Sequence, residues 1–191
     1  MNIRVGLILA AVALASCTTQ PLARHPRAGS HVFFDEQTAS TLSVVDEPLI
    51  FARERSDAAA FARDYATLVA VEVDLSGTDV DYLLLYRWST VDPRMSPPPG
   101  PDEGEMHLLA DGRLIDLKPL PRPPVSLTQR RELLVPNHGK VMAYAYRVEP
   151  GTLRFIAASR DLRLRMPQEP LDLPFTVWSD GRPALARFAG P

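Results

Sequence analysis

Between Val69 and Trp88 the chain alternates apolar and polar residues around a glycine-containing turn, and no other stretch restricts its fold as strongly. Val69, Val71, Val73 and Leu75 are separated by Ala70, Glu72 and Asp74, the period of two that a half-buried strand requires. Ser76-Gly77-Thr78-Asp79 then reverses the chain. Val80, Tyr82, Leu84, Tyr86 and Trp88 follow on one face, and Leu83 and Leu85 make the middle of the other face apolar too. A strand apolar on both faces belongs inside a sheet that is covered on both sides. The two segments predict a long antiparallel hairpin.

Shorter runs of the same character predict strands at Val32–Asp35, Thr41–Val45, Leu49–Arg53, Val141–Val148, Leu162–Met166 and Phe175–Trp178. Met106–Ala110 and Arg113–Leu117 flank Asp111-Gly112, a pair suited to a type I′ hairpin turn because both positions tolerate positive φ. Helix signals are few. Ser56 and Asp57 are placed to cap a helix over Ala58–Arg63, and Pro150 opens a short amphipathic segment with Leu153, Ile156 and Ala157. Residues 183–189 fit a helix opened by Pro183 or a return strand equally well. Prolines cluster at 93–101 and 119–124 and mark surface loops. The expected fold is mainly β: an antiparallel β-sandwich-like domain over residues 31–191 with one or two short helices. An α+β open antiparallel sheet covered by helix 150–159 is the alternative.

Ahead of this domain lies a different kind of segment. Arg4 precedes an apolar run from Val5 to Ala15, and Leu14-Ala15-Ser16-Cys17 ends it. A charged start and an apolar stretch too short to span a bilayer describe an export signal over residues 1–16. The four terminal residues resemble the lipobox of bacterial lipoproteins. That resemblance implies cleavage between Ser16 and Cys17 and acylation of Cys17, with Thr18 directing the protein to the outer membrane, facing the periplasm. Residues 17–30 then read as the lipidated cysteine and a flexible tether. The thirteen residues Thr18–Ser30 reach at most about 45 Å when extended. Cys17 is the only cysteine, so no internal disulfide is possible.

The chemistry of the remaining chain is sparse. It holds neither G-x-S-x-G, nor G-x-G-x-x-G, nor a phosphate-binding G-x-x-x-x-G-K, and only two lysines. His25, His31, His107 and His138 have no metal-ligand spacing. Asp74, Asp79 and Asp81 around Gly77 read as a solvated hairpin turn rather than a calcium loop. The formal net charge of −2 supplies no electrostatic attraction for nucleic acid. No catalytic residue, metal or cofactor is expected.

Two groups stand out. Arg154, Arg160, Arg163 and Arg165 concentrate positive charge around the second helix signal and the strand after it, a candidate surface for an acidic partner. Tyr82, Tyr86 and Trp88, with Tyr144 and Tyr146, form an aromatic set whose expected role is core packing. The segments Asp64-Tyr65, Tyr82-Leu83 and Trp88-Ser89-Thr90 resemble uncharacterised proteobacterial lipoproteins, a resemblance that implies no activity. The expectation is a non-catalytic binding or assembly module of the cell envelope. It is held to the membrane through Cys17, with an envelope protein as its partner and its oligomeric state open. An envelope hydrolase or a carrier of an apolar ligand is the alternative.

Overall fold

Strong β-formers at alternate positions produce ten strands, and the computed structural model describes them through residues 27–55, 61–91, 104–128, 142–167 and 174–191. The strands are β1 (Ser30–Asp35), β2 (Ser40–Val45), β3 (Leu49–Glu54), β4 (Arg63–Leu75), β5 (Thr78–Ser89), β6 (Met106–Ala110), β7 (Arg113–Leu117), β8 (Met142–Val148), β9 (Leu162–Arg165) and β10 (Phe175–Ser179). Three helices join them: α1 (Val125–Thr128), α2 (Pro150–Ala158) and α3 (Arg182–Ala189). The mainly antiparallel β fold read from the sequence is the fold observed. The strands form one continuous sheet, and residues 183–189 are helical. The signal segment, Cys17 and the proline cluster at 93–101 lie outside the described residues.

The hairpin β4–β5 is the spine, paired without interruption from Asp64↔Ser89 to Leu75↔Thr78. Its two-residue turn has positive φ at Ser76 and Gly77, as does the β6–β7 turn at Asp111 and Gly112. Turns of this hand match the right-handed twist of the strands they join. On the other side of β4, one line of chain is broken into two strands. β2 pairs with the far half of β4 (Ser40↔Leu75 to Val44↔Val71) and β3 with the near half (Leu49↔Leu68 to Glu54↔Arg63). Val45–Pro48, four residues, therefore face only Val69 and Ala70 on β4. The chain bows out there, and Gly181 fits against the bow. A Cβ on that glycine would lie 2.5 Å from the carbonyl oxygens of Glu47 and Pro48, so a larger residue at the start of α3 would force the backbone to shift.

From the break the sheet divides. β2 carries β1 as an edge, while β3 continues through β10, β9, β6 and β7. The second arm curls until the segment after β7 meets β8, where Leu120 N–H donates to the Ala145 carbonyl at 2.8 Å. Tyr146 Oη–H donates to the Gly104 carbonyl at 2.5 Å, tying the chain before β6 to the same strand. Burial drives the Tyr146 phenol well above its ordinary pKa, so it stays a neutral donor.

The concave face of this curl is the core. Phe51, Ala66, Leu85, Leu108, Tyr146 and Leu164 are fully enclosed on it, and α2 and α3 close it with Leu153, Ile156, Ala184, Leu185 and Phe188. The interior pocket between sheet and helices, bounded by Leu68, Leu83, Ile156 and Leu185, has room for about one water molecule. The outer face of the spine is also buried at Thr67, Val69, Val71, Tyr82, Leu84 and Tyr86, as the two-sided apolar pattern of β5 requires.

Two expectations need correction. The helix predicted over Ala58–Arg63 does not extend to its end: Phe61 takes φ 70° and Arg63 opens β4, while 56–60 lie outside the described residues. Arg55 N–H donating to the Ala62 carbonyl closes a loop instead. The tether, read as running to Ser30, gives up its last residues to the domain. Ser30 pairs with Val45, and the Arg27 guanidinium pairs with both Glu72 and Asp81. These carboxylates face each other across β4 and β5, where like charges repel, and Arg27 places one positive charge against both. It also lies over the Phe188 ring of α3, 4.9 Å from the centroid.

Candidate functional site

Among the described residues the concave side is packed with apolar side chains, while the outer surface of the sheet presents exposed groups, Trp178 and Thr176 among them. Cross-strand register places a row of residues on that surface. Arg163 on β9 stands opposite Thr176 on β10, Thr176 opposite Ala52 on β3, Ala52 opposite Tyr65 on β4, and Tyr65 opposite Trp88 on β5. Strands lie about 4.8 Å apart, so three strand spacings between Arg163 and Tyr65 put their backbones about 14 Å apart. Exposed Thr176 and buried Ala52 stand between a cationic and an aromatic end.

The aromatic end is a ladder. Tyr65 and Trp88 stack face to face, centroids 4.0 Å apart and 6° from parallel. Trp178 meets Tyr65 edge-on at 6.1 Å and 85°. A register shift between Val177 and Ser179 puts Trp178 at the irregularity in β10; strand irregularities of this kind re-aim side chains. Trp178 is 56% exposed, although the Arg63 guanidinium lies 4.6 Å from its centroid. Arg63 also pairs with Glu54 at 3.3 Å. On the opposite face of the same strand ends, Asp64 takes Arg53 at 2.8 Å and Arg55 at 3.4 Å. The ladder thus stands on strand ends braced by ion pairs.

At the cationic end, Arg163 and Arg165 project from the same side of β9, opposite Leu109 and His107 on β6. Arg163 contacts Asp161 at 3.2 Å. Arg165 Nε is enclosed and has no hydrogen-bond partner among the described residues. His107 lies within 3.3 Å of Asp116. The other two arginines of the candidate surface lie apart from this pair, and the contacts of Arg160 are made by its backbone. Arg154 on α2 donates to the Pro191 carbonyl at 3.1 Å. Arg160 lies in the α2–β9 connection, where its N–H and that of Asp161 donate to Asp111 Oδ1. These two backbone donors hold the Asp111 carboxyl below its usual pKa.

The aromatic set expected in the core divides between the two faces. Leu83↔Tyr146 and Leu85↔Tyr144 put both β8 tyrosines on the concave side, whereas Tyr82, Tyr86 and Trp88 lie on the outer side. Tyr65 and Trp178, which join Trp88, come from distant strands. Alternation within each strand gave their side but not their neighbours.

The remaining polar groups read from the sequence are accounted for locally. Asp74 Oδ1 accepts the Gly77 N–H at 2.7 Å, which makes it a turn residue. His31 pairs with Asp46 at 3.1 Å, and His25 and His138 lie outside the described residues. Among the described residues no three His, Cys, Asp or Glu side chains gather as a metal site. Asp81 is the most perturbed carboxyl of the buried cluster. Burial pushes its pKa up, Arg27 opposes this, and Glu72 and Glu149 add to it. The Arg27 guanidinium lies 3.1 Å from Asp81 Oδ1, and the Asp81 oxygens have no further hydrogen-bond partner among the described residues.

Comparison of the chain with protein-family models, with curated proteins and with solved structures returns no match.

Proposed function

We propose that this chain is an outer-membrane lipoprotein, acylated at Cys17, whose domain works in the envelope as a non-catalytic binding module. The observation that carries the binding reading is the contrast between its two surfaces. The concave face is packed shut by side chains and helices, leaving room for about one water molecule in its interior pocket. A carrier site of ordinary size takes about 300 Å³ or more. The outer face instead presents Trp178 to solvent beside the half-buried Tyr65 and Trp88.

Location rests on Leu14-Ala15-Ser16-Cys17 and its flanks. With Arg27 held by Glu72 and Asp81, only Thr18–Pro26 remain as tether, and ten Cα steps from Cys17 to Arg27 reach about 35 Å. Such confinement raises the local concentration of the domain near membrane-bound components, so a modest affinity is enough for occupancy. Cys17→Ser tests the anchor. The variant should remain as precursor and incorporate no radiolabelled lipid. Undiminished labelling and fractionation with the outer membrane would refute it.

A further inference from the structure

We propose that the outer row from Trp88 to Arg163, with Arg165 beside it, binds an anionic glycan: pyranose rings on the aromatic ladder and acidic substituents on the guanidinium groups. The proposal rests on the envelope-binding reading for its setting and on the surface itself for its chemistry.

A pyranose has a face of C–H groups carrying partial positive charge and an edge of hydroxyls. The negative face of an indole or phenol ring attracts the first, and polar groups at the ring margin serve the second. Trp178 is more than half exposed and is held against Tyr65. Tyr65 is in turn fixed by its stack on Trp88, so the ladder is ordered before a ligand arrives. Arg63 and Glu54 stand at its margin as a donor and an acceptor.

Between the two ends of the register row Thr176 is exposed and Ala52 is buried, so an extended ligand would cross the row over Thr176. About 14 Å away, a distance of two to three sugar units, Arg163 and Arg165 supply guanidinium groups suited to carboxylate or phosphate. A stable protein interface asks for about 800 Å² of each partner around an apolar centre. Here arginines interrupt the rings on both sides, and Ala52 and Thr176 between them offer little surface.

The test uses the purified full chain in detergent. Its tryptophans are only two in number, and both belong to the ladder, so indole emission reports directly on the site. Three probes are titrated: soluble peptidoglycan strands bearing stem peptides, lipopolysaccharide, and a neutral oligomer of N-acetylglucosamine. Saturable emission change with an acidic glycan is expected, with weaker binding of the neutral oligomer. Preference for the first probe identifies carboxylate as the acidic group; if the second is preferred, loss of its binding on dephosphorylation identifies phosphate, and retention identifies its sugar carboxylates.

Calorimetric titration should show that Trp178→Ala weakens binding at least tenfold while the unfolding temperature stays within about 2 °C, since the ring is exposed, with Trp178→Phe recovering part of the loss. Arg165→Gln should weaken the acidic glycan at least fivefold and leave the neutral oligomer unchanged. Cys17→Ser should bind the same glycan equally well, so loss of anchoring and loss of binding are separate results. The proposal is overturned if no probe binds saturably, if binding survives Trp178→Ala, or if the neutral oligomer binds as tightly as the acidic ones. It is likewise overturned if a photocrosslinker at position 178 captures only protein in cells.

Discussion

Replacing Arg27 by methionine keeps an apolar stem over Phe188 and removes the guanidinium that pairs with both Glu72 and Asp81. The carboxylates then face each other across β4 and β5 with no compensating charge from Arg27. Asp81 has a side chain only 2% exposed and Glu72 one 13% exposed. Breaking a buried pair from one side costs about 3–5 kcal/mol. Because Arg27 itself is 25% exposed and water reaches that side, the lower end, ~3 kcal/mol, is the expected loss near neutral pH. For a chain of this size each kcal/mol shifts the unfolding temperature by about 2–4 °C, so a fall of about 6–12 °C should follow.

The sign of the pH dependence is fixed by Asp81. Its folded pKa is raised above 3.8, so its protonated form is favoured in the fold. That stabilisation is fully present below the unfolded pKa and is lost as pH rises through the folded one. Removing Arg27 takes away an influence that holds the pKa down, which makes the ionised form costlier still. The deficit of Arg27→Met should therefore be largest near pH 7.5 and narrow toward pH 4. Urea unfolding followed by circular dichroism at both pH values gives the comparison. The double variant Arg27→Met, Asp81→Asn should recover at least half of the loss at pH 7.5. A deficit below about 1 kcal/mol there, or one that grows on acidification, would refute the account of the cluster.

Two more substitutions test the architecture. Gly181→Ala should destabilise by roughly 1–3 kcal/mol in a urea titration, because the added methyl meets the carbonyls of Glu47 and Pro48; an unchanged midpoint would mean the bow in β2–β3 yields freely. Tyr146→Phe should cost about 1–2 kcal/mol by the same measurement, since the Gly104 carbonyl loses its phenolic donor.

The spine and the two hairpin turns were legible because their signals are local: alternation over a dozen residues, and turn residues that accept positive φ. The broken strand was less so. Thr41–Val45 and Leu49–Arg53 read as separate strands, and nothing in either run says that both lie along β4. The helix read over Ala58–Arg63 stops short of its expected end, since the long β4–β5 pairing claims Arg63 for the sheet, while Ser56 and Asp57 lie outside the described residues. Arg27 looked like a tether residue because its partners, Glu72 and Asp81, are far along the chain. The aromatic ladder depends on register across β3, β4, β5 and β10, together with the shift between Val177 and Ser179. Alternation gives the face of each ring, and only the assembled sheet gives its neighbour.

The break between β2 and β3 also bears on the order in which the molecule comes apart. β4 is paired along its whole length on one side by β5 and in two independent halves on the other. The β1–β2 flap and the β3–β10–β9–β6–β7 arm thus share no hydrogen-bond ladder except through β4. Structures divided in this way open in cooperative units of different free energy. Amide hydrogens of the β4–β5 spine should exchange with solvent only on global unfolding. Those of the flap should exchange earlier, as a group of their own. Through Ser30 and Arg27 the chain enters the domain at that flap, so if Cys17 carries the proposed lipid, a pull on it would load this small outer leaf before the spine.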